Sequence, residues 1–249
     1  MCATQSTEFW HTRENSMTNS DFKTLYLFAD SQLLFWKRHG RLLLEAALDG
    51  LAPDAPLSAA YIGASNGDRP EFYEIFEAAM DAVGIADRRM IASSFGPADR
   101  AFLEIAQLII LAGGDVRLGW TTFERTGMKE VVLRQYAEGT VLVGISAGAV
   151  QLGRCGIVET LGSPGTELFD VFNLVPMVID THDERAEWAR LSRTIRALHG
   201  AAPGLGIPSG GGVVAHANTT IEPLRRPAHE FRFDGANVVH SRLPAEGGD

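Results

Sequence analysis

The sequence predicts an α/β protein in which helices cover both faces of a mostly parallel, doubly wound sheet. Two observations support this fold class. Short apolar runs recur along the chain, and stretches with helical spacing separate them. The runs are hydrophobic at nearly every position, which indicates strands that are buried on both faces. In such a sheet the loops that follow the strands meet at one edge, so we expect the functional site there.

The predicted elements alternate along the chain. Five apolar runs are the predicted strands, at residues 24–29, 57–63, 89–93, 108–112 and 141–145. Predicted helices occupy residues 35–49, 71–83, 98–107 and 122–137, and a further long helix covers residues 183–198. Beyond Gly200 the chain changes to short strands rich in glycine and proline, around residues 213–217, 219–222, 231–233 and 238–240. These strands predict a small C-terminal antiparallel appendage.

Composition favours a single domain. The chain has 249 residues, of which 45% are hydrophobic and 21% are charged, and no linker divides it. We expect residues 1–21 to form a flexible N-terminal tail, residues 22–243 to form one α/β hydrolase-type domain, and residues 244–249 to form a C-terminal tail. No apolar segment has the length of a membrane span, and residues 1–21 lack the apolar centre of a secretory signal. The sequence therefore predicts a soluble protein with no membrane partner.

Charge and cysteine content narrow the partners and the location. The formal net charge is −9 and no basic stripe is evident, so nucleic acid is a disfavoured partner. The two cysteines, Cys2 and Cys155, are too few for a disulfide framework or a cysteine-based zinc site, which favours a cytoplasmic location. The sequence has neither a metal-binding motif nor a dinucleotide-binding glycine pattern, so no cofactor is predicted. The oligomeric state is left open, with a homodimer as the default expectation.

The most informative stretch joins the fifth predicted strand to a G-x-S-x-G turn, formed by Gly144, Ser146 and Gly148. A strand precedes the turn and a run of small residues follows it. This is the pattern of a nucleophile elbow, in which small flanking residues let the strand and the next helix approach each other. Ser146 would project its hydroxyl from the carboxyl edge of the sheet, and the backbone N–H of Ala147 would be available to hold an oxyanion.

Two further loops follow predicted strands. The paired glycines Gly113 and Gly114, which precede Asp115, would let backbone N–H groups face a ligand. The loop of residues 64–68 consists of ordinary turn residues, and Asp68 is expected to cap the helix that follows it.

A serine hydroxyl needs a base within hydrogen-bond reach, and histidine is the usual one. His182 is the candidate because it lies in a loop, after the apolar run at residues 174–179 and before the predicted helix at residues 183–198. A loop of this type would face the same sheet edge as Ser146. The other histidines lie in the N-terminal tail, within or at the end of helices, or among the C-terminal strands: His11, His39, His199, His216, His229 and His240.

Four motifs occur in a fixed order: I-L-A-G-G-D at residues 110–115, G-I-S-A-G-A at 144–149, D-T-H at 180–182 and G-L-G-I at 204–207. With these motifs the chain resembles the peptidase E and cyanophycinase family of serine peptidases from about residue 23 to residue 216. The resemblance implies a three-layer αβα sandwich similar to class I glutamine amidotransferases. It implies Ser146 as the nucleophile, His182 as general base and then acid, and the amides of Gly114 and Ala147 as the oxyanion hole. It also implies a small peptide substrate with an acidic residue, such as an aspartyl dipeptide.

Two positions depart from that family's pattern. Val116 stands where cyanophycinases have a glutamine that contacts the substrate, which disfavours cyanophycin itself. Pro208 and Ser209 stand where those enzymes have an acidic pair that supplies a carboxylate to the histidine. Such a carboxylate orients the base and stabilises the imidazolium. The third member of the triad is therefore left open among Asp180, Asp183, Ser209 and Glu222.

Asp115 and Arg117 are the predicted substrate-binding residues, since Arg117 follows the Gly-Gly-Asp loop and could bind a charged group of the substrate. The arginines of the predicted helix at residues 183–198 are expected mainly to form a solvated face with Glu184 and Glu187 as local partners. Two functions follow from these observations. The first is a serine peptidase or amidohydrolase that acts on a small peptide-like substrate through a Ser146 acyl-enzyme. The alternative is a catalytically silent glutamine amidotransferase-like domain, for binding or scaffolding, that has lost a complete triad.

Overall fold

The computed structural model describes residues 23–51, 56–159 and 166–245. The predicted N-terminal tail and residues 246–249 of the predicted C-terminal tail lie outside these ranges. In the parts that are described, every helix is too short or too polar to cross a membrane.

The elements are numbered along the chain. The strands are β1 (Leu25–Phe28), β2 (Lys37–Arg38), β3 (Arg41–Leu42), β4 (Ser58–Ile62), β5 (Asp87–Ile91), β6 (Leu108–Leu111), β7 (Val141–Ile145), β8 (Cys155–Glu159), β9 (Thr166–Asp170), β10 (Val178–Thr181), β11 (Gly204–Ile207), β12 (Gly212–Ala215), β13 (Ile221–Leu224), β14 (Ala228–Phe233) and β15 (Val238–Leu243). The α-helices are α1 (Leu43–Leu48), α2 (Pro70–Ala82), α3 (Pro97–Leu103), α4 (Val116–Thr126), α5 (Met128–Glu138), α6 (Ala147–Leu152) and α7 (Ala189–Ala197). Short 3-10 turns cover Ser31–Phe35, Ala64–Asn66 and Glu184–Ala186.

The central sheet has the strand order β13-β12-β1-β7-β6-β4-β5. The strands from β1 to β5 in this order run parallel, and β12 and β13 continue the sheet in antiparallel orientation. A second sheet has the order β10-β11-β14-β15, in which only β10 and β11 are parallel. The C-terminal strands therefore do not form one separate appendage. Two of them extend the central sheet, and two complete the second sheet.

Helices cover both faces of the central sheet, which confirms the predicted α/β fold. On one face, Trp120 of α4 and Val131 of α5 share a core with Leu27 of β1. On the other face, Phe76 of α2 packs in a core with Phe28, the next residue of β1. Successive strand residues point to opposite faces, so both faces of the strand need apolar side chains. This double burial explains why β1, β4, β6 and β7 are hydrophobic at nearly every position, whereas β5 at the edge of the sheet begins with Asp87, Arg88 and Arg89.

Several helix boundaries differ from the prediction. The helix predicted at residues 35–49 is wrong in its first half, because a 3-10 turn ends at Phe35 and β2 and β3 form a hairpin before α1. The helix predicted at residues 122–137 belongs to two helices that are separated by Gly127, which has a φ of +73°. The helix predicted at residues 183–198 begins only at Ala189, since Glu187 and Trp188 both have positive φ.

Candidate active site

Ser146 lies at the sharp turn between β7 and α6. Its φ of 50° and ψ of −110° are rare and strained values for a residue with a side chain. Its backbone N–H donates to the carbonyl oxygen of Phe28 at 2.8 Å, which ties the turn to β1. A Cβ at Gly144 would lie 2.6 Å from the carbonyl oxygen of Gly148, and a Cβ at Gly148 would lie 2.7 Å from the carbonyl carbon of Leu111. The close approach of strand and helix therefore needs both glycines, as in a nucleophile elbow.

His182 reaches Ser146 from the second sheet. It directly follows β10, and its backbone N–H donates to the carbonyl oxygen of Ile207 at the end of β11, at 2.9 Å. Its φ of +46° turns the chain sharply at this point. The Nε2 atom of His182 lies 2.8 Å from Ser146 Oγ. At this distance a neutral imidazole can accept the hydroxyl proton.

The loop after β6 lies next to the serine. A Cβ at Gly113 would be 3.3 Å from Ser146 Cβ. Gly114 has a φ of +140°, and a Cβ there would be 2.5 Å from the carbonyl carbon of Ser65, so only glycine fits. Ala147 is the first residue of α6, where a backbone N–H has no partner within the helix. The fold thus brings two backbone segments with N–H donors next to the serine, which is what an oxyanion hole requires.

The loop of residues 64–68 supports this arrangement. Ser65 accepts the backbone N–H of Asp115 at 2.7 Å, and Asn66 Nδ2 donates to the carbonyl oxygen of Gly113 at 3.2 Å. The expected capping role of Asp68 is wrong. Its carboxylate accepts instead from the backbone N–H and the hydroxyl of Ser93, at 2.7 and 2.9 Å. Asp68 therefore anchors the loop to the chain that follows β5.

Glu184 is a carboxylate whose charge interacts with that of His182. It lies two residues after the histidine, in a 3-10 turn, and Ser209 donates its backbone N–H to Oε1 at 3.3 Å. Burial acts to raise the pKa of Glu184, but hydrogen bonds from the side chain and backbone of Ser209, a backbone hydrogen bond of its own and the charge of His182 hold this pKa below its usual value. Glu184 is therefore ionised at neutral pH. Its Oε2 atom is buried and accepts no hydrogen bond from the described residues.

The four residues considered as third triad members lie differently. Asp180 is buried and forms an ion pair with Arg190 of α7. Glu222 lies on β13 and pairs with His216 at 2.8 Å. The strand pairing places Glu222 near the start of β1, at the edge of the sheet opposite to Ser146. These two are therefore not the partners of His182. Asp183 and Ser209 are close to His182 in the fold, but both are neighbours of Glu184. Asp183 precedes Glu184 in the chain, and the backbone N–H of Ser209 donates to it.

Sequence reasoning missed Glu184 because it placed this residue on the solvated face of a helix. A helix from residue 183 onward would pair Glu184 with arginines three or four residues later. In the structure α7 starts only at Ala189, so Glu184 stays in the turn beside His182. The signal available in the sequence was that Glu184 lies only two residues after His182.

Asp115 and Arg117 make structural contacts. Asp115 is the N-cap of α4, and its carboxylate accepts the backbone N–H of Leu118 at 2.7 Å. The guanidinium of Arg117 forms an ion pair with Glu167 and lies 4.2 Å from the centre of the Phe169 ring. Both contacts of Arg117 join α4 to the hairpin of β8 and β9. Substrate binding by Asp115 and Arg117 stays a prediction.

A cavity of about 270 Å³ opens beside Ser146. Its walls come from the end of β1 and the turn after it, from Tyr61 of β4, from α2 and from the loop after β6. The lining residues are Ala29, Asp30, Ser31, Leu34, Tyr61, Phe72, Ile75, Phe76, Ala112, Gly113, Gly114, Ile145, Ser146 and His182. Ser146, His182 and the loop of Gly113 and Gly114 therefore all face one cavity, and most of its other walls are apolar.

Comparison with known proteins agrees with this geometry. Residues 54–222, about two thirds of the chain, match the model of peptidase family S51. The chain belongs to peptidase family S51. It is therefore a serine hydrolase, and the resemblance to peptidase E that the motifs indicated is confirmed. No curated protein matches the sequence.

Two solved structures have a similar fold. A peptidase from an acI-B1 Actinobacterium is 16% identical, with a TM-score of 0.68, and the match covers 93% of this chain and 98% of that one. A peptidase E-like protein from Listeria monocytogenes EGD-e is 18% identical, with a TM-score of 0.53, and the match covers 89% of this chain and 98% of that one. At these identities the likeness is one of fold.

Proposed function

We propose that this family S51 member hydrolyses an amide bond of a small peptide through an acyl-enzyme on Ser146. The observation that carries the proposal is the 2.8 Å contact between Ser146 Oγ and His182 Nε2 at a strained strand-to-helix turn. In the first step His182 Nε2 takes the hydroxyl proton while Oγ attacks the substrate carbonyl carbon. The backbone N–H groups of Gly114 and Ala147 hold the oxyanion that forms.

The intermediate then collapses and the C–N bond breaks. The imidazolium of His182 gives its proton to the leaving amine, which departs and leaves an ester on Ser146. Water attacks this ester in the same way, with His182 again as the base, and releases the acid product. Glu184 supplies a negative charge that stabilises the imidazolium in both halves of the reaction.

Amide hydrolysis by three variants tests this proposal. Ser146→Ala and His182→Ala should each lower kcat/KM for dipeptides by at least about 10⁴-fold, and the double variant should be no worse than either single one, because the two residues act as a unit. Ser241→Ala is the matched control, since Ser241 is an exposed residue of β15. Ser146→Ala with wild-type activity would remove the mechanism, and so would additive losses in the double variant.

A further inference from the structure

The cavity beside Ser146 has a floor and walls of apolar side chains. Leu34 and Phe76 are almost fully buried, and Phe72 on α2 exposes 42% of its surface although it is a large hydrophobic residue. Tyr61 stacks at an angle against Phe76, with ring centres 5.3 Å apart. Cavities that hold drug-sized ligands measure about 300–1,000 Å³, so a volume of about 270 Å³ suits one large side chain.

Charge in the cavity does not favour an acidic group. None of the described lining residues is lysine or arginine, and Asp30 is the carboxylate among them. The two oxygens of Asp30 accept backbone N–H groups, from Gln32 at 3.0 Å and from Gly210 at 2.6 Å. A substrate carboxylate in this cavity would lose its hydration without gaining a lysine or arginine partner from the described lining, and it would lie near the carboxylate of Asp30. An apolar side chain has neither cost.

The position of the cavity assigns it to the acyl side of the substrate. Leu34, Tyr61 and Phe76 belong to the core on one face of the central sheet, whereas β10, which carries His182, contributes Ile179 to the core on the other face. The leaving amine takes its proton from His182 and departs toward that side. His182 lines the cavity from that side, so a side chain next to the acyl carbon would lie against the apolar wall that Leu34, Tyr61 and Phe76 form on the other side.

We propose that this cavity binds an uncharged aromatic or large aliphatic side chain on the residue that supplies the scissile carbonyl. The inference rests on the proposed function of Ser146. It replaces, for this chain, the acidic side chain that the resemblance to peptidase E implied.

Phosphonate diphenyl esters test this assignment, because Oγ attacks phosphorus and displaces phenolate, which leaves a stable adduct on the serine. One ester carries a benzyl side chain, as in phenylalanine, and the other carries a carboxymethyl side chain, as in aspartate. The rate constant of Ser146 labelling should be about tenfold or more higher for the benzyl ester, as expected for burial of an aromatic side chain. A faster reaction of the carboxymethyl ester would overturn the assignment.

A pair of variants adds a direct test of the cavity wall. Phe72→Arg places a cation at the cavity rim. It should slow the labelling of Ser146 by the benzyl ester about tenfold and speed the labelling by the carboxymethyl ester. Ile105→Arg is the matched control, because Ile105 is 59% exposed, precedes β6 and lies at the opposite sheet edge. Equal effects of the two variants would overturn the assignment.

A simple fluorophosphonate, which has no amino-acid side chain, separates the two proposals. If it labels Ser146 and the carboxymethyl ester is preferred, only the apolar assignment fails. If neither it nor the esters label Ser146, the proposed function fails and the assignment fails with it.

Discussion

A methyl group at Gly114 would collide with the backbone of Ser65 and Asn66. The added Cβ would lie 2.5 Å from the carbonyl carbon of Ser65 and 2.9 Å from the backbone nitrogen of Asn66, where contacts below 3.0 Å essentially never occur. Its φ of +140° adds a strain of about 1–3 kcal/mol for any residue other than glycine. The loop must therefore shift, and the Gly114 N–H moves with it. Loss of one oxyanion donor lowers kcat by about 10²–10³-fold, or about 3–4 kcal/mol.

Gly139→Ala separates the strain from the collision. Gly139 also has a positive φ, +102°, but no atom lies within 4 Å of an added Cβ, and it caps α5 at the opposite end of β7 from Ser146. We expect both variants to lose about 1–3 kcal/mol of unfolding free energy or more, and only Gly114→Ala to lose turnover. The assay is kcat for an ester or amide substrate beside thermal unfolding of the same samples. Gly114→Ala with kcat within about threefold of wild type would refute the oxyanion role of this loop.

Three further results are expected. Glu184→Gln should lower kcat/KM by about ten- to a hundredfold in steady-state assays, since the imidazolium loses its charged neighbour. Because the pKa of Glu184 is lowered in the folded protein, its carboxylate should add to the unfolding free energy above the usual pKa of about 4.3, and denaturant titrations should show this contribution disappear as the pH falls through the lower folded value. A difference in unfolding free energy between wild type and variant that is the same at all pH values would contradict this. Asp180→Asn removes the charge of a buried carboxylate from its ion pair with the half-buried Arg190 and should cost about 2 kcal/mol in denaturant unfolding, whereas a loss below about 1 kcal/mol would argue against the pair. Burial raises the pKa of Cys155 to about 12, so the native Cys2→Ser variant should show no reactive thiol toward a disulfide reagent at pH 8 and one after unfolding.

The sharp turn at Ser146 could be predicted from sequence because its geometry is local. A tight strand-to-helix turn demands glycines at fixed spacing on either side of Ser146, so the pattern and the conformation go together. His182 could be placed because an apolar strand precedes it, although its 2.8 Å contact depends on the parallel pairing of β10 with β11.

The position of Glu184 could not be predicted, because it depends on where a helix starts. Positive φ at Glu187 and Trp188 delays α7 and leaves Glu184 beside the histidine, and neither residue type signals such a conformation. The apolar cavity was missed for another reason. Leu34, Tyr61 and Phe72 come from distant segments, and each one by itself has the pattern of an ordinary core residue.

Covalent labelling of Ser146 is the measurement to make first, because it reports whether the serine is an activated nucleophile. The wild-type protein and Ser146→Ala are treated with a fluorophosphonate, and their intact masses are measured by mass spectrometry. An activated Ser146 gives one adduct on the wild-type protein and none on the variant. No adduct on the wild-type protein, or the same adduct on both, would contradict the activation of Ser146.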